Sequence, residues 1–183
     1  EPSMRVITGS ARGKRLETLP GDDITRPTAE RVKEALFSAI QFDIEGRRVL
    51  DLFAGSGQLG IEALSRGASG AVFVDRNAAA AAVVQKNVRA AGFFPQSQVL
   101  CTDALGYLAH PKDRFGLVFL DPPYASGCLL PALTAVVPHL ETGAIVMAEC
   151  DADTALPERI GALALEKRYR YGRVSLYKYR MEE

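Results

Sequence analysis

The 183-residue sequence has no apolar run approaching the roughly 20 residues that cross a bilayer, and its opening, "EPSMRVITGS", lacks the basic-then-apolar layout of a secretory leader. Cysteine and histidine are scarce. Cys101, Cys128 and Cys150 are odd in number and far apart, and His110 and His139 stand in no ligand spacing with them. A disulfide framework and a zinc site are therefore excluded from the reading, and a soluble cytoplasmic chain without a metal is expected. Residues 1–3, ahead of Met4, are given no structural weight. What is present, 48% hydrophobic and 24% charged residues, suffices for one core with at most a small appendage.

Net charge is also lacking, since 22 Lys and Arg offset 22 Asp and Glu, but the balance hides a distribution. Residues 4–15 carry Arg5, Arg12, Lys14 and Arg15 with no acid. Residues 166–180 carry six basic side chains against Glu166 alone. Two basic ends on an acidic body fit either solvated strand faces or a rim that binds phosphates.

No internal repeat or low-complexity segment interrupts the chain. The breakers in "PGDDITRPT" mark a shift near residues 20–28. Before them, alternation in "MRVITG" and "GKRLETL" predicts a β-hairpin turning at residues 10–13. After them, Val32, Ala35, Leu36, Ala39 and Ile40 recur at helical spacing, predicting a helix over 28–41. From Arg48 on, apolar strands alternate with helices up to "GAIVMAE", which implies a doubly wound, mostly parallel α/β sheet covered on both faces. One of those helices is read over "GCLLPALTAVVPHL". The last stretch, "ALALEKRYRYGRVSLYKYR", has no helix between its β-rich runs and reads as an antiparallel hairpin about Gly172.

Residues 51–60, "DLFAGSGQLG", follow a strand and place Gly55, Gly57 and Gly60 in the spacing G-x-G-x-x-G. That spacing suits any nucleotide-like ligand approaching the backbone closely, so it does not identify the molecule. Asp75 ends the next strand, where a carboxylate can accept both hydroxyls of a ribose or cap the helix ahead of Asn77. Asp51 sits just before the turn. A negative charge there opposes a pyrophosphate and suits a ligand with an ammonium and a sulfonium, as in S-adenosylmethionine, unless Asp51 is simply paired within the protein. Asp103 can take an adenine amino group or cap the next helix.

The stretch that decides is Asp121-Pro122-Pro123-Tyr124, after the fourth strand. Two prolines stiffen the loop, so that Asp121 and the Pro122 carbonyl present fixed acceptors beside the flat face of Tyr124. Such a set suits a planar base with an exocyclic amine. Its two acceptors draw the amine towards tetrahedral geometry for attack on a sulfonium methyl, with no metal needed.

"DLFAGSGQLG" followed by "DPPY" resembles the amino-methylating, S-adenosylmethionine-dependent methyltransferases. With "MRVITGSARGKRLETLP", "TRPTAERVKEALFSAI", "GIEALSRGA" and "YRYGRVSLYKY", the chain resembles the bacterial RsmD-like family, 16S ribosomal RNA guanine-N2 methyltransferases. The resemblance implies a Rossmann-like, seven-stranded class I methyltransferase sheet with a C-terminal hairpin, preceded by an N-terminal hairpin and helix. It implies that Asp51, Phe53, Gly55, Ser56, Gly57, Gly60, Asp75 and Arg76 hold the cofactor, with Asp103 and Ala104 at its adenine. Asp121, Pro122 and Tyr124 become catalytic. Arg12, Lys14, Arg15, Arg26 and Pro123 become contacts to ribosomal RNA, naked or within a partly assembled small subunit. Residues 4–27 would then be an RNA-contacting extension of a catalytic domain over 28–183. Gln58 and Asp75 depart from the family pattern, which has a small residue and Glu there. The alternatives are an adenine-N6 methyltransferase on DNA or RNA, an NAD-dependent oxidoreductase, and an RNA-binding assembly factor without catalysis.

Overall fold

In a computed structural model of the chain, residues 4–19, 27–110 and 113–183 are described, except for the side chains of Pro27, Thr28 and Tyr124. Arg26 thus lies outside the described residues. Eight strands form one sheet: β1 (Arg48–Leu52), β2 (Gly70–Asp75), β3 (Ser97–Cys101), β4 (Phe115–Leu120), β5 (Leu140–Asp151), β6 (Arg159–Ile160), β7 (Leu163–Tyr171) and β8 (Val174–Met181). Their order is β3-β2-β1-β4-β5-β8-β7-β6. The five strands from β3 to β5 are parallel, and β8, β7 and β6 continue antiparallel. The sheet therefore has one strand more than expected. The two residues of β6 are too few for an alternation pattern to register in the sequence.

The parallel strands are buried on both faces; β4, for instance, is buried at all six positions. On one face, α1 (Pro27–Ala39), α2 (Gln58–Ser65) and α3 (Ala78–Ala90) pack with Phe37, Ile61 and Val84 against Val49, Phe73 and Phe119. On the other, α4 (Ala104–Leu108) and α5 (Leu129–Ala135) pack against Leu50, Val118 and Val146. The helix expected over residues 127–140 is shorter than read. Regular helix ends at Ala135 and a 3-10 turn over Val137–His139 follows, because Pro138 cannot donate to the preceding turn.

The N-terminal hairpin is present, with its turn where the sequence places it and a single bridge between Arg5 and Arg15. Leu16 N–H donates to Met4 O, and Gly13 N–H to Val6 O. Too short to be stable alone, it docks on the helical face, where Val6 and Leu16 enter the same core as Phe37. The C-terminal hairpin turns at Gly172, whose φ of 59° is the left-handed conformation such a turn needs. Lys178 and Arg180 of β8 are both ion-paired to Asp43 and Glu166, at 2.9–3.5 Å, which ties the end of α1 to the sheet.

Candidate functional site

The strand order reverses between β1 and β4, and the loops after these strands open a cleft of about 810 Å³. This is where doubly wound sheets bind ligands. One wall is the Gly loop. Phe53 leaves β1 with φ +66°, the only non-glycine described residue at positive φ, and this strain turns the chain sharply towards α2. Gly55 also lies at positive φ, with open space where a side chain would be, so the backbone itself faces the cleft. Gly60 has the opposite surroundings. A Cβ there would stand 2.4 Å from the Phe73 ring and 3.2 Å from Asp51, so its role is close packing of helix on strand.

Asp75 organises this loop. One carboxylate oxygen accepts Gly55 N–H at 2.9 Å and the other accepts Asn77 N–H at 2.9 Å. The cap of α3 is Asn77, which accepts from Ala79 and Ala80, so the helix-cap reading of Asp75 is set aside. Asp103 does cap its helix, accepting from Gly106 N–H at 2.9 Å. Asp75, Arg76, Asp103 and Ala104 all line the cleft with Phe53 and Ser56, whereas Gly57 and Gly60 do not.

Asp51 reaches the cleft from below and is 2% exposed. It accepts Gly60 N–H at 3.0 Å, and no ion pair to it occurs among the described residues. Burial pushes its carboxyl up to about 7, against the pull of the Gly60 N–H, and the Asp75 charge adds to the rise. A cation placed beside it would recover the ionised form.

Asp121, Pro122 and Pro123, which follow the strand beside β1, line the same cleft. The loop is fixed by Pro123 O, which accepts Ser126 Oγ–H at 2.7 Å and Ser126 N–H at 3.0 Å. Asp121 is held well above the usual carboxylate range by burial first, then by the neighbouring charge of Glu149, a hydrogen bond with Glu149, and the charge of Asp51. The structure thus brings the residues read as cofactor-binding and as catalytic to one cavity, apart from Gly57 and Gly60, which do not line it, and the Tyr124 side chain, which lies outside the described residues. Arg12, Lys14 and Arg15 are exposed on the hairpin, outside the cleft lining.

Sequence reasoning missed the cleft's roof. Met4, Arg5 and Ile7 of the hairpin and Glu30 and Lys33 of α1 line it. The roof hangs on Glu62, fully buried on α2, which accepts Ile7 N–H at 2.8 Å and Thr8 N–H at 3.0 Å and pairs with Lys33 at 3.1 Å and Arg66 at 3.0 Å. Burial alone would push Glu62 up, but the Lys33 ammonium, the two amides and the Arg66 guanidinium outweigh it and hold the carboxyl below its ordinary value. Asn87 of α3 is a second anchor, accepting Glu17 N–H at 2.8 Å and donating to Glu17 O and to Ser56 O in the Gly loop. The available signal was a charged or amide residue on the buried stripe of a helix.

Comparison with known proteins places these features in a family. The model of the family described as conserved hypothetical protein 95 matches residues 4–180. The YlbH protein of Bacillus subtilis is 41% identical over 97% of this chain and 100% of its own length. Ribosomal RNA small subunit methyltransferase D of Escherichia coli is 32% identical over 98% of this chain and 90% of its own. Among solved structures, the yhhF protein of Escherichia coli superposes with a TM-score of 0.86 at 30% identity, covering 99% of both chains. The fold alone extends to a Thermus thermophilus 16S rRNA N2 G1207 methyltransferase in complex with AdoMet and guanosine. Its TM-score is 0.77 at 22% identity, over all of this chain and 50% of that one.

Proposed function

Because the chain belongs to the conserved hypothetical protein 95 family and has small-subunit rRNA methyltransferases D among its relatives, we propose that it transfers a methyl group from S-adenosylmethionine to the exocyclic N2 of a guanine in 16S ribosomal RNA. One observation carries the reading: a single cleft is lined by the Gly loop, by Asp51, which has no ion pair among the described residues, and by Asp121-Pro122-Pro123. The cleft residues fit the cofactor. Gly55 offers bare backbone, Asp75 a ribose acceptor, Asp51 a carboxyl awaiting a cation, and Ala104 an apolar floor at the N-terminus of α4. When bound, S-adenosylmethionine supplies an electrophilic sulfonium methyl; the amine lone pair forms the N–C bond and the C–S pair returns to sulfur.

The chain's own residues prepare the amine. Asp121 and the Pro122 carbonyl accept its two N–H groups, which reduces delocalisation of the lone pair into the ring, and Tyr124 stacks on the base. Asp121 also stabilises the positive charge that develops on nitrogen. The roof keeps water from the reacting atoms, and the exposed Arg12, Lys14 and Arg15, with Arg26 and Pro123, hold the flanking RNA. On this reading residues 4–27 are the RNA-contacting extension of a catalytic domain over 28–183, acting in the cytoplasm on a partly assembled small subunit. No helix among the described residues is long and apolar enough to cross a membrane.

The test is to incubate the protein with isotopically methyl-labelled S-adenosylmethionine and 16S rRNA, free or in partly assembled subunits, then to identify the labelled nucleoside by mass spectrometry. N2-methylguanosine is expected. Label on N6-methyladenosine would replace this reading with the adenine alternative, and absence of label from both substrates would refute it.

A further inference from the structure

Methylation of an amine leaves a proton to be removed, and a side chain outside the DPPY stretch stands beside the group that receives it. Leu120 of β4 is in register with Ala148 of β5, so one residue further along the two parallel strands Asp121 and Glu149 are adjacent. Asp51 is in register with Phe119, and Phe119 with Met147. By the two-residue alternation, Asp51, Asp121 and Glu149 therefore share one face of the sheet. Asp121 and Glu149 are hydrogen-bonded to each other through their side chains. Two carboxyls can bond in this way only when one of them carries a proton.

We propose that Glu149 is a positioning residue for Asp121: it holds the shared proton while Asp121 accepts the amine N–H, and it passes to solvent the proton that N2 gives up. The inference rests on the reading that Asp121 receives the guanine amine. The balance is simple. The pair enters with one proton, gains a second from the methylated nitrogen, and returns one to water, so it ends as it began. Without Glu149, Asp121 would lose both the partner that shares its proton and the route by which that proton leaves.

The groups around the pair do not supply this role. Asp51 faces it from β1 with a charge of the same sign. From α1, Glu30 and Lys33 line the cleft, but the Lys33 ammonium is bonded to Glu62 and to Arg5 O. On the far side, β8 sets Leu176 opposite Glu149, and β7 sets Tyr169 opposite Leu176. Arg168 is bonded to Ala152 O and Ser175 Oγ. Cys150 and Asp151 follow on β5, with the Cys150 thiol itself pushed up to about 11, chiefly by burial.

Glu149→Gln tests the proposal by two readouts: carboxyl carbon-13 titration of the protein alone, and the pH dependence of kcat/KM for RNA methylation. The raised Asp121 titration should fall in the variant, because both the like charge and the shared hydrogen bond are gone. The acid limb of the rate profile should then move to lower pH by on the order of one unit, while kcat above that limb drops about 10-fold or more for want of a proton exit. Glu149→Asp should recover part of both. If the limb and kcat are unchanged in Glu149→Gln, or if Asp121 titrates in the ordinary carboxylate range in the parent protein, the proposal is overturned and the methyltransferase reading stands. If the parent protein methylates no RNA, the reading falls and takes Glu149's role with it, even where the titration shows a paired proton.

Discussion

Glu62 and Asp51 are carboxylates buried on the same face of one sheet, and their surroundings drive them in opposite directions. Glu62 accepts two backbone amides, a lysine and an arginine, and is held ionised below its ordinary value. Asp51 has one amide and no cation among the described residues, and rises to about 7; Asp121, beside Glu149, rises too. Satisfaction separates the roles. A buried charge whose partners are all supplied by the fold holds the fold, and one left short of partners awaits them from a ligand.

The two also oppose each other in pH. Glu62, with its native value lowered, contributes stability that is present above its ordinary value and lost as pH falls through the native one. Asp51, with its native value raised, favours the native state below about 3.8, and that advantage is lost as pH rises through about 7.

The largest expected effect breaks the satisfied side of the comparison. Glu62→Ala leaves Lys33, 6% exposed, without its partner and frees the amides of Ile7 and Thr8, so equilibrium unfolding in denaturant should show a loss of about 3–5 kcal/mol. The loss should shrink at acid pH, where the parent Glu62 is itself protonated. A variant within about 1 kcal/mol of the parent at neutral pH would mean that the hairpin docks through its apolar contacts alone.

Much of the unsatisfied side was legible in the sequence. Asp51, Asp75 and Asp121 are charges at or near the ends of apolar strands, where they stand out against a continuous apolar run, and the glycines mark the turn beside the first of them. Glu149 has the same signature in "IVMAEC" but no motif to draw attention to it. The satisfied side was not legible. The hydrogen bonds from Ile7 and Thr8 to Glu62 span 55 and 54 residues, and Asn87 reaches Glu17 across 70. Local spacing carries no trace of such pairings, and they convert a hairpin read as an appendage into the roof of the cleft. Charge counting along the chain fails for a similar reason: Lys178 and Arg180 look basic in sequence and are matched by Asp43 and Glu166 in space.

A smaller effect is expected where the hairpin faces solvent. Reversing Arg12, Lys14 and Arg15 to Glu should leave stability and cofactor binding unchanged while weakening RNA binding and methylation. The slope of log affinity against log salt should flatten by about 0.7 for each lost phosphate contact to single-stranded RNA. An unchanged slope with full activity would make these side chains a solvated face and move the RNA elsewhere on the molecule.

The division of labour within the cleft is tested most directly by Asp121→Ala, assayed side by side for methyl transfer to 16S rRNA and, by calorimetry, for S-adenosylmethionine affinity. Transfer should fall by about 100-fold or more, with cofactor affinity within a few fold of the parent, because the carboxyl serves the amine and not the cofactor. Transfer near the parent rate, or a loss of cofactor affinity as large as the loss of transfer, would contradict the account.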